Sequence, residues 1–230
     1  MSSYVVKGES LAAIAAAIRE KTGSTEKLTL SEMPEAILNI QAGEVTYIPL
    51  EYIESTGVQY FNTGFVPNSN TRIVLDIAAT RITSGIFFGA RGTTGSAMAD
   101  SYSLNMSSGN EFVTSYGREF NLAIAPTDTE RHVWDKNKNR VLMDGTQKIV
   151  HAEQTFACNY EACLLAINNA GTPGYAPAAA KLYGCRIYDD GVLVRDYVPC
   201  RRKSDSAVGL WDKVHDVFCE NAGSGEFLLG

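Results

Sequence analysis

Residues 181–200, KLYGCRIYDDGVLVRDYVPC, read as two alternating apolar runs joined at Asp190-Gly191, and no other stretch restricts the fold so tightly. A two-residue type I′ turn needs positive φ at both central positions. Asp tolerates this and Gly adopts it freely, so turn chemistry and strand pattern agree on a β-hairpin. On the first arm Tyr183, Cys185 and Ile187 are expected on one face, against Leu182, Arg186 and Tyr188 on the other. On the second arm Val192, Val194 and Val198 oppose Leu193, Arg195 and Tyr197. Both faces carry apolar weight. A hairpin at the rim of a sheet would show one plainly polar face, so this one is expected near the centre of a layered all-β domain.

The surrounding sequence fits such a domain. From Val45 onward, β-type runs recur every eight to twelve residues or so, the spacing of a sandwich or barrel. Ile73, Leu75 and Ile77 alternate with Arg72 and Asp76. The trios Tyr102/Leu104/Met106, Phe112/Thr114/Tyr116 and Phe120/Leu122/Ile124 each read as a half-buried strand. A strand pair is expected over 131–150, with a polar Lys136-Asn137-Lys138-Asn139 turn, then Asp144-Gly145, and with Trp134, Val141 and Met143 facing a core. Residues 162–167 are apolar almost throughout and belong between layers. At 230 residues and 45% apolar content, the chain is long enough for one full sandwich core plus a small appendage.

The first forty residues have a different period. In residues 9–23, Leu11, Ile14, Ala15 and Ile18 recur at helical spacing and Gly23 stands where a C-cap belongs. A second helix is expected over 31–40, with Met33, Ile37 and Ile40 on one side, Ser31 as cap and Pro34 in the first turn. Helices this short are marginal alone in water. Residues 1–43 are therefore read as an anchoring or oligomerisation segment, with Leu11, Ile14, Ile18, Met33, Ile37 and Ile40 as its contact residues. Residues 41–44 form a hinge, and 44–230 are the β-domain.

Several chemistries are excluded at this level. A net charge of −6 argues against a nucleic-acid partner, and Arg201-Arg202-Lys203 beside Asp205 reads as a solvated loop. No apolar run approaches the roughly 20 residues of a membrane span, and no charged-then-apolar signal segment opens the chain, so a soluble protein is expected. The five cysteines include no CxxC pair and read as buried thiols. His132, His151 and His215 stand too far from any cysteine pair for zinc, and no cofactor is expected. No strand carries an acid-x-acid alternation. Asp189-Asp190, Asp128 with Glu130, and Glu51 with Glu54 read as solvated surface. Neither a G-x-S-x-G elbow nor a phosphate-binding G-x-x-x-x-G-K-[ST] occurs. The expectation is a protein that is not an enzyme.

Separated motifs then carry a resemblance. Leu50-Glu51-Tyr52-Ile53-Glu54-Ser55-Thr56-Gly57, with Gln59-Tyr60 and Thr63-Gly64-Phe65, is followed in order by three further stretches. These are Phe88-Gly89-Ala90-Arg91, the hairpin, and Gly209-Leu210-Trp211-Asp212 through Phe218 to Asn221-Ala222-Gly223. Together, over residues 48–230, they resemble the concanavalin A-like, laminin-G-type jelly-roll modules of bacteriophage and prophage structural proteins. Residues 7–37 separately resemble an N-terminal element of phage tail and other virion proteins. The resemblance implies a two-sheet antiparallel jelly-roll sandwich behind a short helical hairpin. It also implies a place in the virion, at the tail tip, baseplate or fibre, after assembly in the bacterial host cytoplasm. Other virion proteins, a homo-oligomer (a trimer in such fibres) and a host-surface glycan are the implied partners. A capsid decoration protein of the same fold is the alternative, and a glycan-degrading enzyme is disfavoured. Such modules often hold calcium, but no loop here has carboxylates at ligand spacing.

Glycan binding needs a sugar-stacking aromatic ringed by amides and charged donors on loops at the rim of a rigid sheet. Two loops have that composition: 91–102, with Arg91, Asp100 and Tyr102, and 168–175, with Asn168, Asn169 and Tyr175.

Overall fold

The computed structural model describes residues 8–22, 27–38, 46–92 and 100–230. They fall into two compact units that divide between Thr46 and Tyr47. The expected hinge at 41–44, and Ile40, lie outside the described residues, as does the side chain of Ile37.

The smaller unit holds helices α1 (Gly8–Thr22) and α2 (Met33–Leu38). Ala15 and Ile18 of α1 bury against Met33, with Leu28 and Ala36 packed alongside. The buried stripe is rotated from the expected one: Ile14 is 45% exposed and Leu11 half-buried. Ser31 is not the cap. The Glu32 carboxylate instead accepts from the Thr29 N–H at 2.7 Å and its hydroxyl at 2.6 Å, the side-chain return of a capping box. The assigned helix α2 begins at Met33, two residues later than the sequence pattern implied.

The larger unit is built of strands. In chain order they are β1 (Tyr47–Pro49), β2 (Ile53–Thr56), β3 (Phe61–Asn62), β4 (Thr71–Ala79), β5 (Gly85–Arg91), β6 (Ser101–Met106) and β7 (Glu111–Gly117). There follow β8 (Glu119–Pro126), β9 (Arg131–Asn137), β10 (Arg140–Met143), β11 (Thr146–Val150), β12 (Cys163–Leu164), β13 (Ile167–Asn169) and β14 (Thr172–Tyr175). The last five are β15 (Ala179–Asp189), β16 (Val192–Arg202), β17 (Val208–Asp212), β18 (Val217–Cys219) and β19 (Leu228–Leu229). The large sheet runs β11-β10-β9-β4-β15-β16-β17-β18, with β1 on β16, β2 on β15 and β19 on β2. The small sheet runs β14-β13-β5-β6-β7-β8, with β12 joining β3 to β5. Pairing is antiparallel apart from β13 with β5.

One core lies between the sheets. Ile73, Leu75 and Ile77 from β4 and Leu182, Cys185 and Ile187 from β15 meet Phe88, Tyr102, Leu104, Phe112 and Tyr116 from the small sheet. Trp134 stands at its centre, fully buried and edge-on to Phe112 at 5.0 Å. The fold is a mostly β, two-sheet antiparallel sandwich. Residues 162–167 are each no more than 1% exposed, with Ala162, Leu164 and Leu165 in the core between the layers as expected and Ile167 on the opposite face of the small sheet.

The hairpin β15–β16 is central in the large sheet, and Asp190 (φ 45°) and Gly191 (φ 84°) take the conformation its turn requires. Its face assignment needs one correction. A bulge between Leu182 and Gly184 in the pairing with β4 breaks the two-residue period. Leu182 therefore joins Cys185 and Ile187 inside, while Tyr183 turns out beneath Arg131, whose guanidinium carbon is 3.7 Å from the ring centre. On the second arm Tyr197 enters the core, whereas Val192 and Leu193 at the tip are exposed. A second correction concerns Lys136. It is not part of a polar turn but an interior residue of β9, and Lys138 (φ 54°) begins the turn.

Candidate functional site

Alternation on β6 sends Tyr102, Leu104 and Met106 into the core and leaves Ser101, Ser103 and Asn105 on the opposite face of the small sheet. That outer row is not solvent-washed: Ser101, Ser103 and Asn105 are 0, 2 and 7% exposed. Ser103 Oγ donates to Asn105 Oδ1 at 3.1 Å, and Asn105 Nδ2 approaches Asn121 Oδ1 at 3.5 Å. The Asn121 N–H donates to Ser115 Oγ at 3.0 Å from a positive φ of 52°. Among the described residues, the buried Ser101 hydroxyl has no hydrogen-bond partner. Gly89 keeps the floor flat, because a Cβ there would fall 2.8 Å from Ser103 Cβ and 3.1 Å from Ile167 Cδ1.

Over this row lies a cleft of about 330 Å³, near the lower end of the size range of small-ligand sites. Ser103, Asn105 and Asn121 line it, with Ile86 and Ile167 as its apolar part and Arg91, Phe120 and Tyr175 at one side. The Arg91 guanidinium lies between the two rings, 5.7 Å from Phe120 and 5.5 Å from Tyr175, and its Nε donates to Asn169 Oδ1 at 2.7 Å. Burial pulls the Arg91 pKa down and Tyr175 opposes that shift. Tyr175 is half-exposed. The described lining contains no carboxylate, histidine or cysteine. A neutral set of hydroxyls and amides beside aromatic rings is equipped to hydrogen-bond and stack, not to transfer protons.

Of the six residues expected from sequence, the structure brings three together: Arg91, Asn169 and Tyr175, from strands β5, β13 and β14. The other three are not in the cleft lining, and of these Tyr102 is corrected. Tyr102 is wholly buried in the core, where its hydroxyl donates to the carbonyl of Lys136 at 3.0 Å, and so cannot meet a ligand. Asn168 closes a turn by accepting from the Gly171 N–H at 3.0 Å. The Asp100 carboxylate accepts from Asn159 at 2.8 Å, outside the cleft lining. Ser103, Asn105, Phe120 and Asn121 went unread. Short polar residues alternating with large apolar ones look like any solvent-facing row, and only their burial distinguishes them.

Elsewhere, ionisable groups answer one another. Arg202 pairs with Asp205 at 2.6 Å and Glu220 at 2.9 Å. Asp189 accepts from Asn68 at 2.9 Å. His132 lies between Asp144 and Asp128, at 2.6 and 2.9 Å. Burial lowers its pKa, but the bonds to these two carboxylates outweigh that and raise it overall. Among the described residues no group of His, Cys, Asp and Glu could hold a metal ion, and no helix is long and apolar enough to cross a membrane. All five cysteines are free, and four are buried.

The sequence matches no family model and no curated protein. Among solved structures, it is similar to "a mutant of Trypanosoma rangeli sialidase displaying trans-sialidase activity". The likeness has a TM-score of 0.35 at 12% identity and covers 78% of this chain. The chain spans 36% of that protein's length. A likeness this distant carries no argument about activity.

Proposed function

We propose that this chain is a bacteriophage virion structural protein of the tail tip, baseplate or fibre, whose β-domain binds a host-surface glycan through the cleft on the small sheet. The observation that carries the glycan reading is the meeting, over a recessed row of serines and asparagines, of Arg91 with Asn169 and Tyr175, some eighty residues away in sequence. Sugars present hydroxyls and apolar ring faces, and amides, hydroxyls and exposed aromatic rings are their complements. The virion role rests on the motifs spread over residues 48–230. On the same grounds the sandwich is taken as a concanavalin A-like jelly roll, the two helices as a hairpin foot, and the assembly as a trimer. Binding without catalysis is supported by a described lining without carboxylates, since glycoside hydrolysis ordinarily needs two of them flanking the bond.

The test is an array of bacterial surface glycans probed with the full-length chain and with Tyr175→Ala. The reading predicts selective binding that Tyr175→Ala loses, and identical profiles would remove it. For the foot, Leu11 and the exposed Ile14 are available for contact with other copies of the chain. Leu11→Asp with Ile14→Asp should lower the light-scattering mass of the full chain to that of a monomer, and an unchanged mass would contradict the anchoring role.

A further inference from the structure

Lys136 is the least expected side chain in the core. It is 0% exposed, it enters from β9 of the large sheet, and among the described residues it makes no ion pair. Lysine is almost never buried this completely without a charged partner, because removing an ammonium from water is costly. Its Nζ instead reaches the small sheet from behind. It donates to Thr114 Oγ1 at 2.7 Å and to the Ser115 carbonyl at 2.8 Å, and it approaches the Ser103 carbonyl at 3.5 Å. The rings of Tyr102 and Tyr116 lie 4.4 and 5.8 Å away. Ser103 and Ser115 are the residues whose hydroxyls form the network on the other side of the sheet. From Ser103 Oγ the bonds run to Asn105 and on to Asn121, and Ser115 Oγ accepts from the Asn121 N–H. Two routes from one ammonium thus converge on Asn121 at the cleft wall.

We propose that Lys136 is a positioning residue for the cleft: it holds β6 and β7 from the core side, and losing its proton repositions Ser103 and, through Asn105, Asn121. An ammonium has three donors and a neutral amine two. The long contact to the Ser103 carbonyl is therefore the one released, while Thr114 and Ser115 keep theirs. The ionisable groups facing it are Tyr102 of β6, Tyr116 of β7, Cys158, and His151 with Glu119 beyond it. Burial, their largest influence, pushes Tyr102, Tyr116 and Cys158 up; burial and the Lys136 charge push His151 down. Burial also brings Lys136 to about 7, with Cys158 opposing, so it is the group that changes charge near neutrality. That the cleft binds a ligand rests on the glycan reading above, but the coupling does not.

The test is an NMR titration of the full-length chain from about pH 5 to about pH 10. It follows the Lys136 side chain and the amides of Ser103, Asn105, Ser115 and Asn121. The expected result is one shared midpoint near neutrality, absent from these amides in Lys136→Met and retained in His151→Gln. A Lys136 that stays charged to the end of the range would overturn the proposal. So would an Asn121 amide that is flat while Lys136 titrates, or a transition lost in His151→Gln. Should Lys136→Met not fold, the wild-type comparison of Lys136 with Asn121 still decides. Lost glycan binding with the titration intact would retire the glycan reading alone.

Discussion

On the outer face of the large sheet, Arg72 is clasped by Asp135 at 2.7 Å and Arg131 by Asp76 at 2.8 Å. Each guanidinium also lies over a tyrosine, Tyr188 at 5.2 Å and Tyr183 at 3.7 Å. On the outer face of the small sheet the equivalent positions are Ser101, Ser103, Asn105 and Ser115, which are uncharged and recessed. The first surface is charged and open, yet its strongest groups already hold one another. The second is neutral and sheltered, and one of its hydroxyls has no partner among the described residues. Exposed ion pairs tolerate water and contribute little, whereas a buried polar row is costly unless something satisfies it. Burial of small polar groups, more than charge, distinguishes the face proposed to bind a ligand.

The comparison can be broken first at what the two faces share. Trp134→Ala empties the middle of the core and should cost about 3–5 kcal/mol in urea denaturation, with both faces failing together. A loss below about 1 kcal/mol would mean that the sheets do not depend on this packing. Next, Gly89→Ala sets a methyl against the cleft floor, where Ser103 Cβ would be 2.8 Å away. It should cost about 1–3 kcal/mol and weaken ligand binding.

A smaller effect separates His132, on the core-facing row of β9, from the charges on that strand's outer face. Its folded pKa lies above the unfolded value of 6.5. The imidazolium therefore stabilises the protein fully below 6.5, and that contribution is lost as pH rises through the folded value. Wild type should lose stability over this window relative to His132→Gln, and denaturation curves in parallel at every pH would contradict the clamp. A small effect on stability is expected from Arg131→Gln, about 0.2–1 kcal/mol, with ligand binding unchanged.

The hairpin turn, the alternation of β4 and the interior run 162–167 were legible because each depends on local chemistry: a turn that demands Asp-Gly, a period of two, or a segment with no polar face. The bulge that sends Tyr183 outward was not legible, since one extra residue in a strand leaves no compositional trace. Lys136 was misplaced for a related reason. Within Lys-Asn-Lys-Asn it has the composition of a turn, and only the hydroxyl and carbonyls of β6 and β7 make its burial tolerable. Arg91, Asn169 and Tyr175 were read because their aromatic, amide and guanidinium groups stand at the ends of short strands beside Gly-rich sequence. Ser103, Asn105, Phe120 and Asn121 lie within β6 and β8, where tertiary burial rather than sequence separates a recessed row from a wet one.

The most direct test of the central claim sets one substitution from each outer face side by side on the same glycan array. Full-length Tyr175→Ala should lose the selective binding of the wild type by about tenfold or more, while changing stability by no more than about 0.5 kcal/mol. Full-length Arg131→Gln should bind as the wild type does. Binding that survives Tyr175→Ala, or that disappears with Arg131→Gln instead, would place the ligand on the wrong sheet and contradict the account.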